Sequence, residues 1–411
     1  MTAPVPPPQP RFPLPQGEGE KESGPADLAV YIHWPFCLSK CPYCDFNSHV
    51  RESVDPAAWQ ATYLRQIRAY AARIGPRRIT SIFFGGGTPS LMPPETAGAI
   101  VDATAAAWSL DGAAEITLEA NPAAVDRERF AGFAAAGVNR VSIGVQSFDD
   151  RALRFLGRRH SADDARTAIR LAGRYFDRSS FDLIYALPEQ TDRDWRGQLR
   201  DALAEAGGHL SLYQLTIEPG TAFHAQWERG DLATPDEDAA GNLYETTQEV
   251  LEGAGLPAYE ISNHARPGDE SRHNLTYWRY GDYAGIGPGA HGRLAIGGVR
   301  HATRHHRAPE VWLERASQAC DPMAAERGSA VVSDAEAVVE AVMMGMRTAE
   351  GVPLARLAAL GDAPENVEAA LDRSEIARLA EAGLLADDPD RLRATAAGRQ
   401  RLNAVLAAIL N

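Results

Sequence analysis

From residue 28 onward, short apolar runs alternate with longer stretches in which apolar positions recur at helical spacing. The runs are Ala29–Trp34, Ile79–Phe84, Glu115–Glu119, Arg140–Val145, Phe181–Tyr185 and Leu210–Leu215. They are rich in β-branched and aromatic residues and mostly end at Gly, Pro or Asn, so each predicts a strand. Helices are predicted between them near Pro56–Arg73, Pro94–Trp108, Arg127–Ala136, Ala162–Ala172 and Arg193–Glu205, and a sixth, roughly Pro235–Gly253, follows the last strand. Parallel neighbours need a crossover, so six strand–helix units in series imply a parallel sheet. Periodicity alone leaves open whether that sheet is doubly wound or curved into a partial barrel.

The polar and glycine residues place the chemistry. Cys37 follows the first predicted strand, Gly85–Gly87 the second, Asn121 the third, Gln146 the fourth and Pro188 the fifth, while Asp182 falls near a strand start. Ligands of parallel α/β folds bind beyond the carboxyl ends of the strands, so these positions are expected on one face. The stretch Pro257–Arg307 reads as irregular, rich in Gly, His, Tyr and Trp. Helices return from Ser333, including Glu336–Arg347 and Glu375–Ala382, and Leu384–Ala386 with Leu392–Ala394 reads as a hairpin, a winged-helix-like order. The expected organisation is a disordered Pro/Gly-rich tail over 1–26, a barrel over 27–256, a connecting region over 257–332 and a helical, winged-helix-like domain over 333–411. That last segment carries 8 Arg, no Lys and 13 acidic residues. A net of −5 argues for a structural or protein-contact role and against DNA reading.

Net charge over all 411 residues is −14, which argues against nucleic acid as a partner. No window approaches the roughly 18 consecutive apolar residues of a membrane span, so membrane contact is expected only through a partner. Met1–Pro25 has no apolar core and reads as neither a signal peptide nor a lipidation signal, so a cytoplasmic location is expected. Three of the four cysteines crowd into eight residues and Cys320 stands alone. In a reducing compartment such crowding favours metal over disulfide.

The crowded motif is Cys37-Leu-Ser-Lys-Cys41-Pro-Tyr-Cys44. Thiolates are soft ligands, suited to iron–sulfur clusters, zinc or copper(I). Three of them around a four-iron cubane leave one iron open; structural zinc with His33 or His49 as fourth ligand is the alternative. With Tyr43 before its last cysteine and a strand before its first, the motif resembles that of the radical S-adenosylmethionine (SAM) superfamily. From about residue 28 to its end the chain is similar to the coproporphyrinogen-dehydrogenase-like branch. The resemblance implies an α/β fold, a partial (β/α)6 barrel followed by a smaller C-terminal α+β domain. It further implies a [4Fe–4S] cluster on Cys37, Cys41 and Cys44 with SAM on the open iron. Phe83-Phe84-Gly85-Gly86-Gly87-Thr88-Pro89-Ser90 resembles the GGGTPS motif of the family, in which glycines let backbone approach a ligand. By the same resemblance Tyr31, Tyr43, Gly86, Gly87, Thr88, Glu119, Gln146, Arg158 and Asp182 take SAM-site positions, the Glu119 carboxylate facing ribose hydroxyls or the SAM ammonium. The implied chemistry is reductive homolysis of SAM and hydrogen abstraction, which needs an electron donor.

Within the branch, the dehydrogenases usually extend the motif to CxxxCxxCxC and carry a structured N-terminal extension. Here Cys44 is followed by Asp45 and Phe46, and the CPYCDFNSH stretch resembles the haem-chaperone members. His273-Asn274-Leu275-Thr276-Tyr277-Trp278 resembles their HNxxYW motif, and Gly285–His291 their glycine-rich segment. The resemblance implies a protein that binds haem and transfers it to acceptors such as respiratory enzymes. His273 is the expected iron ligand, with Tyr and Trp offering flat surfaces to the macrocycle. His291, His301, His305 and His306 are lesser candidates. Coproporphyrinogen III dehydrogenation and radical SAM methyl transfer are the alternatives.

Overall fold

Parallel pairing runs unbroken through six strands: β1 (Asp27–Trp34), β2 (Arg78–Gly86), β3 (Ser109–Ala120), β4 (Arg140–Gln146), β5 (Arg178–Tyr185) and β6 (His209–Gln214). The computed structural model describes residues 26–51, 53–318 and 325–411; all but the last residue of the expected tail over 1–26, and Cys320, lie outside them. The crossovers are α1 (Pro56–Ile74), α2 (Pro94–Ala107), α3 (Arg127–Ala135), α4 (Ala162–Tyr175) and α5 (Asp192–Glu205), with α6 (Glu237–Gly253) after β6. Their starts are written locally. Asp55 and Asp126 cap α1 and α3, and Ser161 with Asp164 and Thr191 with Asp194 form capping boxes on α4 and α5.

Side chains alternate across each strand. One set, including Ile82, Phe84, Leu118, Val141, Ile143, Leu183 and Leu212, is buried in a single large apolar core with helix residues such as Ile67, Ile100, Phe130, Ala168 and Leu199. The other set is polar yet also buried: Ser81, Glu115, Thr117, Arg140, Ser142, Ser180, His209 and Ser211. A sheet that buries polar groups on its second face must close over them. The curvature brings residues beyond β1 and on β6, Tyr43 and Tyr213, to the wall of one cavity.

The stretch expected to be irregular is largely regular. It folds as β7 (Asn263–Ala265), antiparallel to β6; α7 (Arg272–Trp278); β8 (Tyr283–Ile286), parallel to β1; and a hairpin of β9 (His291–Ile296) and β10 (Val299–His305). Adding β11 (Glu326–Val331) gives eleven strands in the order β11-β10-β9-β8-β1-β2-β3-β4-β5-β6-β7. All of these added strands but β8 carry Arg or His, so their apolar periodicity is weak. The hairpin turn has a structural signature, because Gly297 and Gly298 both adopt positive φ, 60° and 83°.

Helix α8 (Pro309–Ser317) seals the added strands against the barrel. Fully buried Trp312 stacks on Trp59 at 5.4 Å between ring centres, and its indole N–H donates to His305 Nδ1 at 3.2 Å. His305 Nε2 meets the Tyr70 hydroxyl at 3.0 Å, so both nitrogens of this buried imidazole are engaged in packing. A second core, with Val338, Val342, Leu357, Leu379 and Val405, joins the C-terminal helices. There Val352–Pro353 pairs with Arg391–Leu392 and Leu385 bridges Ala394, so a small hairpin sits among the helices.

Trp312→Ala removes the largest plug between barrel and added strands and is expected to cost about 3–5 kcal/mol, read as a lower urea midpoint at unchanged slope.

Candidate functional site

At the carboxyl ends of β1 to β6 lies a cavity of about 570 Å³. Cys37, Cys41, Tyr43 and Cys44 form one wall, Gly86, Gly87 and Thr88 a second, and Glu119, Gln146, Arg158 and Asp182 the remainder. The cysteine loop is anchored at both ends. Phe36–Cys37 pairs in parallel with His49–Val50, and the half-buried thiols hang between them. His33 lies beneath. Its Nε2 donates to Asn47 O at 2.9 Å and its Nδ1 accepts from the Tyr31 hydroxyl at 3.0 Å. Burial pushes this imidazole down to about 4, so it is neutral and keeps this one donor and one acceptor near pH 7. Asn47 carries the clamp further, donating to Pro288 O and Arg307 O at 2.9 Å each.

The glycines are dictated by close approach. A Cβ on Gly87 would stand 2.7 Å from the Pro35 carbonyl carbon, and one on Gly86, at φ +114°, would stand 2.5 Å from the His33 ring. Their absence lets Gly87 N–H donate to Trp34 O at 2.7 Å and Thr88 N–H to Phe36 O at 2.8 Å, locking the glycine turn to the cysteine strand. The Thr88 hydroxyl then donates to Cys37 Sγ at 3.3 Å. Ser48 Oγ lies 3.7 Å from Cys44 Sγ, and Arg158 Nη1 lies 3.6 Å from Cys41 Sγ. Each thiol therefore has its own polar neighbour. Burial works against the Arg158 charge, but Tyr43 and Cys41 beside it outweigh that and raise its pKa.

The opposite wall is acidic and undersatisfied. Burial pushes the Glu119 carboxyl up to about 8, with Asp182 adding to the rise; its Oε2 accepts from Gly86 N–H at 3.1 Å. Burial also pushes Asp182 up to about 6, against hydrogen bonds from Ser211 and Ser142. Asp182 sits within β5, not at its start. Gln146 adopts φ 72°, and its Oε1, like Arg158 Nε, is buried without a partner among the described residues. Buried orphan polar atoms in a cavity are the mark of a site built for a polar ligand.

An iron–sulfur cluster with SAM fits these residues: soft thiols on one wall, unpartnered polar atoms and carboxyls on the other. Zinc fits poorly. Both histidines named as a fourth zinc ligand are engaged, His33 through both ring nitrogens and His49 through Nε2 with Asn47 Oδ1 at 3.2 Å. Sequence reasoning missed Asn47, Ser48, Ser142 and Tyr213. The first two lie in the CPYCDFNSH stretch, and Ser142 and Tyr213 fall on the inward alternation of β4 and β6.

Two expected residues lie elsewhere. Tyr31 packs behind Gly85 and outside the cavity wall, acting on it through His33. His273 sits on α7, which plugs the amino-terminal end of the barrel. Its Nδ1 is 2.8 Å from Ser81 Oγ, its Nε2 is bonded to the Tyr277 hydroxyl, and its ring stacks on Phe83 at 4.8 Å. Buried Glu115 accepts from the His273 and Arg272 backbone N–H groups at 3.1 and 3.2 Å and pairs with Arg178 at 2.7 Å. In this arrangement His273 has no free nitrogen for haem iron; the HNxxYW segment is the barrel's lower seal.

Known proteins agree with this geometry. The sequence model described as the Radical SAM superfamily matches residues 31–202, and that of the HemN C-terminal domain matches residues 332–401. The solved coproporphyrinogen III oxidase (HemN) of Escherichia coli superposes with a TM-score of 0.77 over 93% of this chain and 90% of that one, at 21% identity, which shows the fold. The chain is 38% identical to heme chaperone HemW of Mycobacterium tuberculosis (strain ATCC 25618 / H37Rv) over 93% of its own length and 95% of the relative. It is 43% identical to HemW of Escherichia coli over 66% and 71%, and 42% identical to the mitochondrial radical S-adenosyl methionine domain-containing protein 1 of Bos taurus over 80% and 75%. The chain belongs to the HemW family of radical SAM proteins.

Gly87→Ala forces the glycine turn away from Pro35 and Phe36 and is expected to cost about 1–3 kcal/mol and lower the iron and sulfide bound after anaerobic reconstitution. A second expectation concerns pH. The Glu119 carboxyl ionises near 4.5 when unfolded and about 8 when folded. Folding stability is therefore full below the lower value and lost as pH rises towards the upper one. Glu119→Gln should flatten that decline by on the order of 2–4 kcal/mol, read from urea unfolding of the cluster-free protein across the interval.

Proposed function

We infer that the protein is a haem chaperone carrying a SAM-ligated [4Fe–4S] cluster, handing haem to acceptor proteins such as respiratory enzymes. The cluster ligands are Cys37, Cys41 and Cys44. The SAM contacts are made by Tyr43, Gly86, Gly87, Thr88, Glu119, Gln146, Arg158 and Asp182, with Tyr31 acting through His33. The bound cluster supplies an open iron for SAM and an electron for cleaving its sulfonium bond, if an electron donor is present. The chain's own residues do the rest. Arg158 holds a positive charge beside Cys41, and Gly86 N–H fixes the Glu119 carboxyl that faces the SAM ammonium or ribose.

Kinship carries the chaperone reading: 38% identity to a HemW across 93% of the chain, against 21% to the solved oxidase. Phe46 supports it, standing where the dehydrogenase motif has a further cysteine and exposing 61% of its surface at the cavity rim. The site of action proposed is the cytoplasm, reaching membranes only through acceptors. No helix among the described residues is long and apolar enough to cross a bilayer.

Anaerobically reconstituted protein, given haem, SAM, reductant and coproporphyrinogen, is expected to bind haem stably, pass it to an apo-acceptor and leave the porphyrinogen unchanged. Decarboxylated product would overturn the chaperone reading in favour of the dehydrogenase. Cys41→Ala should lose the visible charge-transfer absorption of the cluster.

A further inference from the structure

If haem is carried, its iron needs a ligand, and burial removes most of the histidines. His33, His160, His209, His264, His273 and His305 are all buried. Of the accessible ones, His224 lies 3.5 Å from Glu228 and His301 has its Nδ1 buried. His306 is flanked by Arg315 and Arg327, away from the cysteine loop, whereas His49 and His291 both act on the His33 ring beneath that loop. Both also feel Arg307. They therefore flank the seam where Gly289 packs on Asn47, on the outer face of the cysteine loop.

The chemistry of that face matches an iron porphyrin. His291 is exposed at the start of β9, directly opposite Arg304 on β10, and its ring makes no hydrogen bond among the described residues. Partial burial of the ring and the cations Arg304, Arg293 and Arg307 lower its pKa, favouring the neutral form that binds iron. His49 is restrained by Asn47 Oδ1 at 3.2 Å. Lys40, Arg304 and Arg307 make no ion pair among the described residues, in a chain of net charge −14. Arg51, by contrast, is held by Glu310 at 2.5 Å. Apolar surface lies alongside: Leu38 and Val50, next to or on the paired Phe36–Cys37 and His49–Val50 strands, are 46% and 47% exposed.

We propose that haem docks on this outer face of the cysteine loop, with His291 binding the iron, Lys40, Arg304 and Arg307 receiving the propionates, and Leu38 and Val50 meeting the macrocycle edge. His49 positions the porphyrin. The inference rests on the haem-chaperone reading but is independent of the HNxxYW segment. Cargo would thus sit outside the SAM cavity, separated from it by the thickness of one loop.

The test is haem titration of the full-length, cluster-loaded protein, followed by absorption and electron paramagnetic resonance spectra. His291→Ala is expected to weaken haem binding about tenfold or more and change the iron spectrum. His291→Met should shift the spectrum to that of a thioether ligand, and Arg304→Glu with Arg307→Glu should weaken binding while leaving the ligation spectrum unchanged. Cluster absorption and thermal unfolding of each variant report that the fold persists. Haem bound with unchanged affinity and spectrum by His291→Ala would overturn this site while leaving the chaperone reading intact. Failure of the unsubstituted protein to bind haem would overturn that reading itself.

Discussion

The hydrogen bond from His33 to the backbone of Asn47 is the constraint on which the cysteine wall depends. His33 is the penultimate residue of β1, so its position is set by the sheet, and burial keeps it neutral. From there the geometry propagates outward. Asn47 bonds to residues 288 and 307, the strand ending in Cys37 bonds to the glycine turn, and that turn bonds to Glu119 on β3. A larger side chain at Gly86 would strike the same His33 ring. The thiols thus hang from a frame of backbone hydrogen bonds, with packing in a secondary part.

The two ends of the barrel are electrostatic opposites. At the lower end Glu115 is buried but surrounded by Arg140, Arg178 and the backbone N–H groups of α7; these outweigh burial and hold its carboxyl below its usual range. At the upper end Glu119 and Asp182 face each other with too little compensation, and both are pushed up. One end is sealed by its own charges, and the other keeps a standing deficit that a cationic ligand relieves.

The strand–helix rhythm and the cysteine spacing are local features, and they were legible. Short apolar runs predicted strands such as Ile79–Phe84 within β2, and helical spacing predicted helices such as Arg193–Glu205 within α5. What escaped was non-local. The strands β7, β9 and β10 are interrupted by His and Arg and β8 is only four residues long, so apolar periodicity could not flag them, although the paired glycines of the Gly297–Gly298 turn were readable. The motif of His273 was visible, but its end of the barrel was not: only the pairing of β8 beside β1 shows that α7 crosses beneath the lumen. Nor could spacing reveal that His291 and His49, far apart in sequence, face a common neighbour.

The clamp at Asn47 also bears on biogenesis. Its two acceptors belong to residues 288 and 307, some 240 and 260 positions later in synthesis. While a ribosome is still making the barrel, the three thiols have emerged but the carbonyls that steady their loop have not. Until then the loop is steadied by its local bonds alone, from His33 to Asn47 and between the two short strands that flank the cysteines.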